Sequence, residues 1–212
     1  MVNFGKDKIK LQEHLYICDK YPDPGWSRYN DCDPKWDNYR DRCKYIIDKV
    51  DKSPILDIGC AEGVMCIELA KKGFKNIIGV DVSKKTVKKA DDILKKIQGM
   101  ANRITYKVAW AEHLPFKDRE FKTVIMTEVL EHVFDLGLSI READRVLDNN
   151  GRIIVSVPSR GEVALAHVRT FKYRKDFMSL FPCYYQWGEL IFIRRRFHRK
   201  WLVGYAKKKA NY

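Results

Sequence analysis

From residue 36 onward, two spacings of apolar residues alternate along the chain. Segments with an apolar residue every three or four positions predict amphipathic helices, and short runs of consecutive apolar residues predict buried strands. The predicted helices are 36–50, 62–73, 84–98, 138–149 and 174–181. The predicted strands are 54–59, 76–81, 103–110, 122–129, 152–158, 184–193 and 201–207. Strands that alternate with helices indicate a parallel sheet covered on both faces.

The last two predicted strands depart from this alternation. Their connection, RRRFHRK (194–200), is too short for a helical crossover, so the two strands are expected to pair antiparallel at one edge of the sheet. The predicted fold is therefore a doubly wound, mostly parallel seven-stranded α/β sheet with an antiparallel edge hairpin at the C-terminus. We expect residues 36–212 to form a single domain and residues 1–35 to form an irregular cap over one end of the sheet.

The composition and the first residues of the chain bear on where in the cell the protein is found. The chain is 45% hydrophobic and 12% aromatic, which is typical of a folded protein. Its first ten residues carry charges where a signal peptide needs an apolar core, and no apolar run approaches the roughly 20 residues that span a bilayer. We expect a cytoplasmic protein without a transmembrane segment, whose six cysteines are free thiols.

The formal net charge of +13 favours negatively charged partners. Much of the excess is lysine within 84–98, which we interpret mainly as the solvated face of a helix. The segment 193–209 combines eight Lys or Arg residues with three aromatic residues, a pattern that suits RNA or an anionic membrane surface. Alternatively, part of this segment is a strand that turns three residues toward the core, namely Trp201, Val203 and Tyr205.

The turn after the first predicted strand, within SPILDIGCAEGV (53–64), is the first candidate site. In an open α/β sheet, ligands bind beyond the carboxyl ends of the strands. Gly59 and Gly63 allow a tight turn and a helix that starts close to a ligand. Between them, two small residues keep the wall of the site thin, Cys60 and Ala61.

An acidic residue, Asp81, ends the second predicted strand. At that position a carboxylate can accept hydrogen bonds from both hydroxyls of a ribose in a ligand bound across the crevice. A glycine turn alone is compatible with a tight packing loop. The combination of turn and acid therefore carries the prediction of a ligand that contains a nucleoside.

Five segments, in order along the chain, resemble a class I S-adenosylmethionine-dependent methyltransferase of the broad group that modifies small molecules and RNA: ILDIGCAEG, IIGVDVS, AEHLPF, FKTVIMTEVLEHV and GRIIVSVP. The resemblance covers about residues 50–160 and the final strand pair, and it implies a Rossmann-like fold. A nicotinamide dehydrogenase on the same fold is disfavoured, because GCAEG does not have the GxGxxG spacing.

The resemblance implies a set of contacts with S-adenosylmethionine. Asp57, Gly59 and Gly63 would surround its amino-acid part, Asp81 would hold its ribose, and the segment 109–116 would line its adenine. The full implied set of cofactor-binding residues is Asp57, Gly59, Cys60, Ala61, Gly63, Asp81, Val82, Ala111, Glu112 and Thr127.

Two positions depart from the pattern of the family. Trp110 stands where relatives often have an aspartate that binds the adenine amino group, and an indole offers only a donor. Either the Trp110 ring covers the adenine, or Glu112 makes the polar contact instead. Ala61 stands where many relatives have glycine, which is a mild change if the local φ is negative.

The segment TEVLEHV contains the candidate catalytic residues Glu128 and His132, which together with Glu131 would share one face of a helix. Methyl transfer mainly requires alignment, and a base is needed only for a poor nucleophile such as an alcohol or phenol. The favoured interpretation places Glu128 near the sulfonium and makes His132 a possible base. One alternative is that the acids only stabilise a helix N-terminus. Another is a Mg²⁺ site like that of small-RNA 2′-O-methyltransferases, completed by His167; no metal is favoured.

Further along, HVRTF (167–171) resembles a His-x-Arg-x-Phe element that small-molecule relatives place over the acceptor pocket. This resemblance makes His167 a further catalytic candidate and Arg169 a candidate for binding the acceptor. The expected function is methyl transfer from S-adenosylmethionine to an O or N atom of a small-molecule or lipid-like acceptor. The alternatives are an RNA methyltransferase that uses the basic C-terminal surface and an inactive module that binds S-adenosylmethionine or RNA.

Overall fold

A computed structural model of the chain describes residues 37–160, 171, 173–194 and 200–209. The expected N-terminal cap, and the candidates His167 and Arg169, lie outside these residues. The elements, in chain order, are α1 (Asp37–Lys49), β1 (Ile55–Ile58), α2 (Val64–Lys71), β2 (Ile77–Asp81), α3 (Lys84–Lys95), β3 (Ile104–Val108), β4 (Phe121–Thr127), α4 (Leu136–Val146), β5 (Leu147–Arg160), α5 (Arg174–Met178), β6 (Tyr185–Arg194) and β7 (Lys200–Lys208).

These strands form one seven-stranded sheet in the order β3-β2-β1-β4-β5-β7-β6. The first five pair in parallel, whereas β7 pairs antiparallel with both β5 and β6. The predicted fold class, including the antiparallel hairpin at the edge, is therefore confirmed. The strand order runs outward in opposite directions from β1 and β4, which creates a crevice beyond the carboxyl ends of these two parallel strands.

Each face of the sheet has its own hydrophobic core. Helices α1, α2 and α3 cover one face, and α4 and α5 cover the other. Because helices cover both faces, all four residues of β1 are buried despite the aspartate at its third position. In β7, Val203 is buried and two partly buried aromatic residues pack with it against the α1–α3 face, which confirms the strand interpretation of this segment. These two residues are Trp201 and Tyr205.

The largest difference from the predicted elements lies between α4 and β5. The helix predicted over 138–149 ends at Val146, and the chain continues as a strand from Leu147. Leu147 is fully buried and pairs with Phe121, so it begins strand β5 and does not add another turn to α4. Among the described residues, the structure contains no helix with the length and apolar character that a membrane crossing needs.

Candidate active site

The loops that follow β1, β2, β3 and β4 meet at the carboxyl edge of the sheet. The amides of Gly59 and Cys60 donate to the carbonyl of Val80 at 2.8 and 2.9 Å, which ties the turn after β1 to the end of β2. The amide of Ala109 donates to the carbonyl of Asp81 at 3.0 Å and brings in the end of β3. Most of the predicted cofactor residues are therefore neighbours at this edge.

The turn after β1 has left-handed backbone at Gly59, Ala61 and Gly63, with φ values of 71°, 47° and 81°. Ala61 therefore lacks the negative φ that would make it a mild replacement for glycine. Its left-handed backbone is strained because alanine has a Cβ atom. A Cβ atom at Gly59 would overlap a methyl group of Val129, and one at Gly63 would overlap the Tyr106 ring. The two glycines are thus required by contacts within the protein as well as by their backbone conformation.

Tyr106 is a residue of this site that the sequence analysis missed. It is buried in β3, and its hydroxyl donates to the carbonyl of Gly63 at 3.2 Å. Its ring also fills the space over Gly79, where a Cβ atom would come within 2.7 Å of it. Tyr106 therefore holds the turn from below. The only signal in the sequence was an aromatic residue in a predicted strand, and such residues are common in protein cores.

The Asp81 carboxylate joins the two loops that flank the crevice. Its Oδ2 accepts from the amide of Ala61 at 3.1 Å, and its Oδ1 accepts from the amide of Ser83 at 2.9 Å. A carboxylate has about four lone-pair sites, so these two amides fix its orientation without excluding hydroxyl donors. A carboxylate held in this orientation fits the role of acceptor for a ribose diol at the position that the sequence predicts.

Asp57 occupies a different environment from Asp81. It is 1% exposed in the middle of β1, and the thiol of Cys66 donates to its Oδ2 at 3.4 Å. The pKa of Asp57 is raised to about 7, mainly because the group is buried; the Cys66 hydrogen bond lowers the pKa and the Asp81 charge adds a smaller increase. Burial likewise raises the pKa of the Cys60 thiol well above its ordinary value. Asp57 is therefore enclosed within the sheet and is linked to α2 through Cys66.

On the adenine side, Trp110 and Ala111 are half-buried and lie directly after β3. Trp110 forms a single bridge with His113. Glu112 is 4% exposed, and its Oε1 accepts from the amides of Phe134 and Asp135 at 2.7 and 3.2 Å. Of the two alternatives for the adenine, a polar contact from Glu112 is thus not supported by its geometry, because this carboxylate is turned toward the loop before α4.

Glu128, at the end of β4, is the centre of a polar cluster that the sequence did not indicate. Ser156 Oγ donates to its Oε1 at 2.9 Å, and the Trp201 indole donates to its Oε2 at 2.8 Å. The Arg42 guanidinium forms an ion pair with the same Oε2 at 2.9 Å, and it lies 5.1 and 5.0 Å from the ring centroids of Tyr39 and Trp201. Glu128 therefore joins α1, β4, β5 and β7.

The prediction of a helix through TEVLEHV is wrong. Glu128 has a φ of 57°, which breaks helical geometry, and only a single turn follows it. The helix α4 begins later, after Asp135, whose side chain accepts from the amide of Leu138 at 2.8 Å. The three candidates consequently do not share one exposed face, because Glu131 is fully buried whereas His132 is half-buried.

His132 has the most exposed side chain of the three candidates in this segment. It is 31% exposed, and its Nε2 lies 3.9 Å from Oε1 of the buried Glu131. Within the described part of the chain, no three His, Cys, Asp or Glu side chains are grouped in a way that could hold a metal ion.

Comparison with known proteins decides the family. Residues 49–189, well over half of the chain, match the family model described as a methyltransferase domain. The chain belongs to this methyltransferase family. Membership confirms the resemblance to class I S-adenosylmethionine-dependent methyltransferases that the sequence motifs carry.

The names of two curated relatives of this chain specify different acceptor atoms. It is 37% identical over 112 residues to norajmaline N-methyltransferase of Rauvolfia serpentina, covering 52% of this chain and 38% of that protein. It is 33% identical over 102 residues to ubiquinone biosynthesis O-methyltransferase of Pelagibacter ubique, covering 48% and 40%. The chain therefore spans less than half the length of these curated relatives.

A solved structure shows the same fold across most of the chain. Magnesium protoporphyrin IX methyltransferase of Synechocystis PCC 6803, with bound SAH, has a TM-score of 0.71 and 16% identity, covering 94% of this chain and all of that one. The shared fold places the carboxyl edge described above in the region where this fold class binds ligands.

Proposed function

We propose that the chain binds S-adenosylmethionine at the carboxyl edge of its sheet and transfers the methyl group to an O or N atom of a small-molecule acceptor. The observation that carries the proposal is the Asp81 carboxylate, which is fixed by the amides of Ala61 and Ser83 beside the glycine turn. The names of the relatives, which include an N- and an O-methyltransferase, support both acceptor atoms.

In this proposal the cofactor supplies an activated methyl group on a sulfonium. Asp81 would hold the ribose hydroxyls, the turn at 59–63 would face the amino-acid end, and Ala111 would lie beside the adenine. Val82 and Thr127, which are half-buried at the ends of β2 and β4, would complete the wall. The protein's main contribution is then alignment of the acceptor, which can be worth roughly 7–11 kcal/mol.

The surroundings of Glu128 and His132 support the roles proposed for them, positioning for Glu128 and proton acceptance for His132. The ion pair and two hydrogen bonds of Glu128 hold its carboxylate between α1, β5 and β7, which favours a positioning role for this residue. His132, half-buried at the same edge, is the better candidate for a base. Such a base is needed only if the acceptor is a hydroxyl group that is not already ionised.

The ribose assignment is tested by calorimetry with S-adenosylmethionine on Asp81→Ala and Asp81→Asn. Hydrogen bonds to a charged group contribute about 1.5–3 kcal/mol each, so both variants should lose at least roughly tenfold in affinity. Asp92→Ala on α3 removes the same charge away from the turn and should keep the wild-type affinity. Wild-type affinity in both Asp81 variants would contradict the assignment.

The acceptor class is tested by incubating the protein with methyl-labelled S-adenosylmethionine and a matched set of a phenol, an alkyl amine and an RNA. Label in the phenol or the amine supports the proposal. Label in the RNA alone would contradict the small-molecule part while leaving the donor site intact.

A further inference from the structure

The positive charge of the chain is unevenly distributed over its helices. Helix α3 carries five lysines against two aspartates, whereas α4 carries two arginines against one glutamate and one aspartate. The lysines of α3 are all exposed, and its opposite side packs against the sheet through Val87, Ala90 and Leu94. The surface formed by the lysines, named here the α3 lysine face, consists of Lys84, Lys85, Lys88, Lys89 and Lys95.

This arrangement is unfavourable for the helix itself. Lys84 and Lys85 follow the N-cap residue Ser83 and lie at the positive end of the helix dipole, where an acidic residue would be favoured by about 0.3–1 kcal/mol. Two pairs of lysines are also spaced four residues apart and repel each other, Lys84 with Lys88 and Lys85 with Lys89. The exposed side chains of Lys84 and Lys85 gain no burial that would offset this cost.

Acidic neighbours form ion pairs with Lys88, Lys89 and Lys95, whereas the first two lysines of α3 have no such pair among the described residues. Lys88 and Lys95 pair with Asp92 at 3.2 and 3.5 Å, and Lys89 pairs with the buried Glu62. Lys84 and Lys85 have no acidic partner within the described residues. The uncompensated charge therefore lies in the first turn of α3, a few residues after Asp81.

We propose that the α3 lysine face binds the phosphate backbone of a nucleic acid. The twelve residues of α3 extend over roughly 18 Å, along which an extended polyanion can meet several ammonium groups. The exposed large hydrophobic residues of the described chain are Val108, Tyr173 and Met178, none of which belongs to α3. Without such residues the face has no means to enter a bilayer or to stack on bases, so phosphate contacts carry the binding.

The test compares two triple variants that lower the net charge equally. One is Lys84→Gln/Lys85→Gln/Lys88→Gln, which spares Lys89 because the buried Glu62 depends on it. The control changes three exposed cations on or beside α4 and α5 in the same way, namely Lys117, Arg141 and Lys175. Binding of a fluorescein-labelled RNA duplex is followed by anisotropy between about 50 and 200 mM salt. Melting curves and S-adenosylmethionine calorimetry establish that both variants remain folded.

The α3 variant should bind the RNA at least tenfold more weakly than wild type, with a salt slope smaller by about 0.9 for each lost phosphate contact. The control should keep the wild-type affinity and slope. Equal losses in both variants would show an effect of net charge alone and would overturn the proposal. Undetectable RNA binding by the wild type, or stronger binding to phosphatidylserine vesicles than to RNA, would overturn it as well. Binding of a nucleic acid by the α3 lysine face does not depend on which molecule accepts the methyl group.

Discussion

At the scale of single residues, the glycine turn after β1 shows why side-chain size matters at this site. Gly63 has a φ of 81° and lies against the Tyr106 ring, so both backbone conformation and space exclude a side chain. Gly73, after α2, has a φ of 99° but no heavy atom within 4 Å of a Cβ position. The two glycines share the conformational requirement and differ only in the available space.

This difference gives a prediction for Gly63→Ala and Gly73→Ala. Both variants should lose roughly 1–2 kcal/mol of unfolding free energy, because alanine disfavours left-handed backbone. Gly63→Ala should lose roughly 1–3 kcal/mol more, because the methyl group displaces Tyr106. Urea denaturation of the two variants measures the difference. Equal destabilisation would mean that the contact with Tyr106 relaxes without cost.

At the scale of elements, the Glu128 cluster attaches α1 to the carboxyl edge of the sheet. Arg42 is 6% exposed in α1 and reaches the end of β4, while Trp201 reaches the same carboxylate from β7. A second ion pair of α1, between Lys49 and Glu189 of β6, is far more exposed. The helix is thus joined to the sheet by a buried and by an exposed ion pair.

We expect Arg42→Met to destabilise the protein much more than Lys49→Met. Removing one partner of a buried ion pair costs roughly 3–5 kcal/mol, and the Arg42–Glu128 pair, partly open at Glu128, should approach that range. Loss of the exposed Lys49–Glu189 pair should cost less than about 1 kcal/mol. The measurement is the free energy of unfolding in denaturant. Similar losses in the two variants would indicate that the Glu128 cluster contributes no more than a surface pair.

The same elements show where sequence patterns stop being informative. The spacing of Glu128, Glu131 and His132 predicted a helix, but helix α4 starts only after the cap at Asp135. The deciding features are the left-handed backbone of Glu128 and its partners Arg42 and Trp201, which are distant in the sequence. No local pattern can indicate contacts of that range.

At the scale of the whole molecule, enclosing the sheet between two helical layers places an acidic residue in the core. Asp57 is 1% exposed because both faces of β1 are covered. Burial raises its pKa from the ordinary 3.8 to about 7, so the folded protein holds a proton there that the unfolded chain releases. The resulting stability is fully present below pH 3.8 and is lost as the pH rises through about 7.

Asp57→Asn should therefore reduce the pH dependence of the unfolding free energy. Between about pH 4 and 7 the wild type should lose stability relative to this variant, by at most about 1.4 kcal/mol per pH unit, and the difference should be constant at higher pH. Asp92→Asn is the control with opposite sign, because hydrogen bonding to Lys88 lowers the pKa of Asp92. Parallel stability curves for wild type and Asp57→Asn would contradict the raised pKa.

By itself, the sequence determined the parallel sheet, its antiparallel edge hairpin, the glycine turn and the acid at the tip of β2. These features depend on local periodicity and on the chain order of short motifs, which adjacent residues encode. Only the tertiary structure decided that Glu112 serves the loop before α4, that Glu128 binds Arg42 and Trp201, and that Tyr106 supports Gly63. Each of these contacts joins residues from separate elements, and their partners are chosen by packing rather than by spacing along the chain.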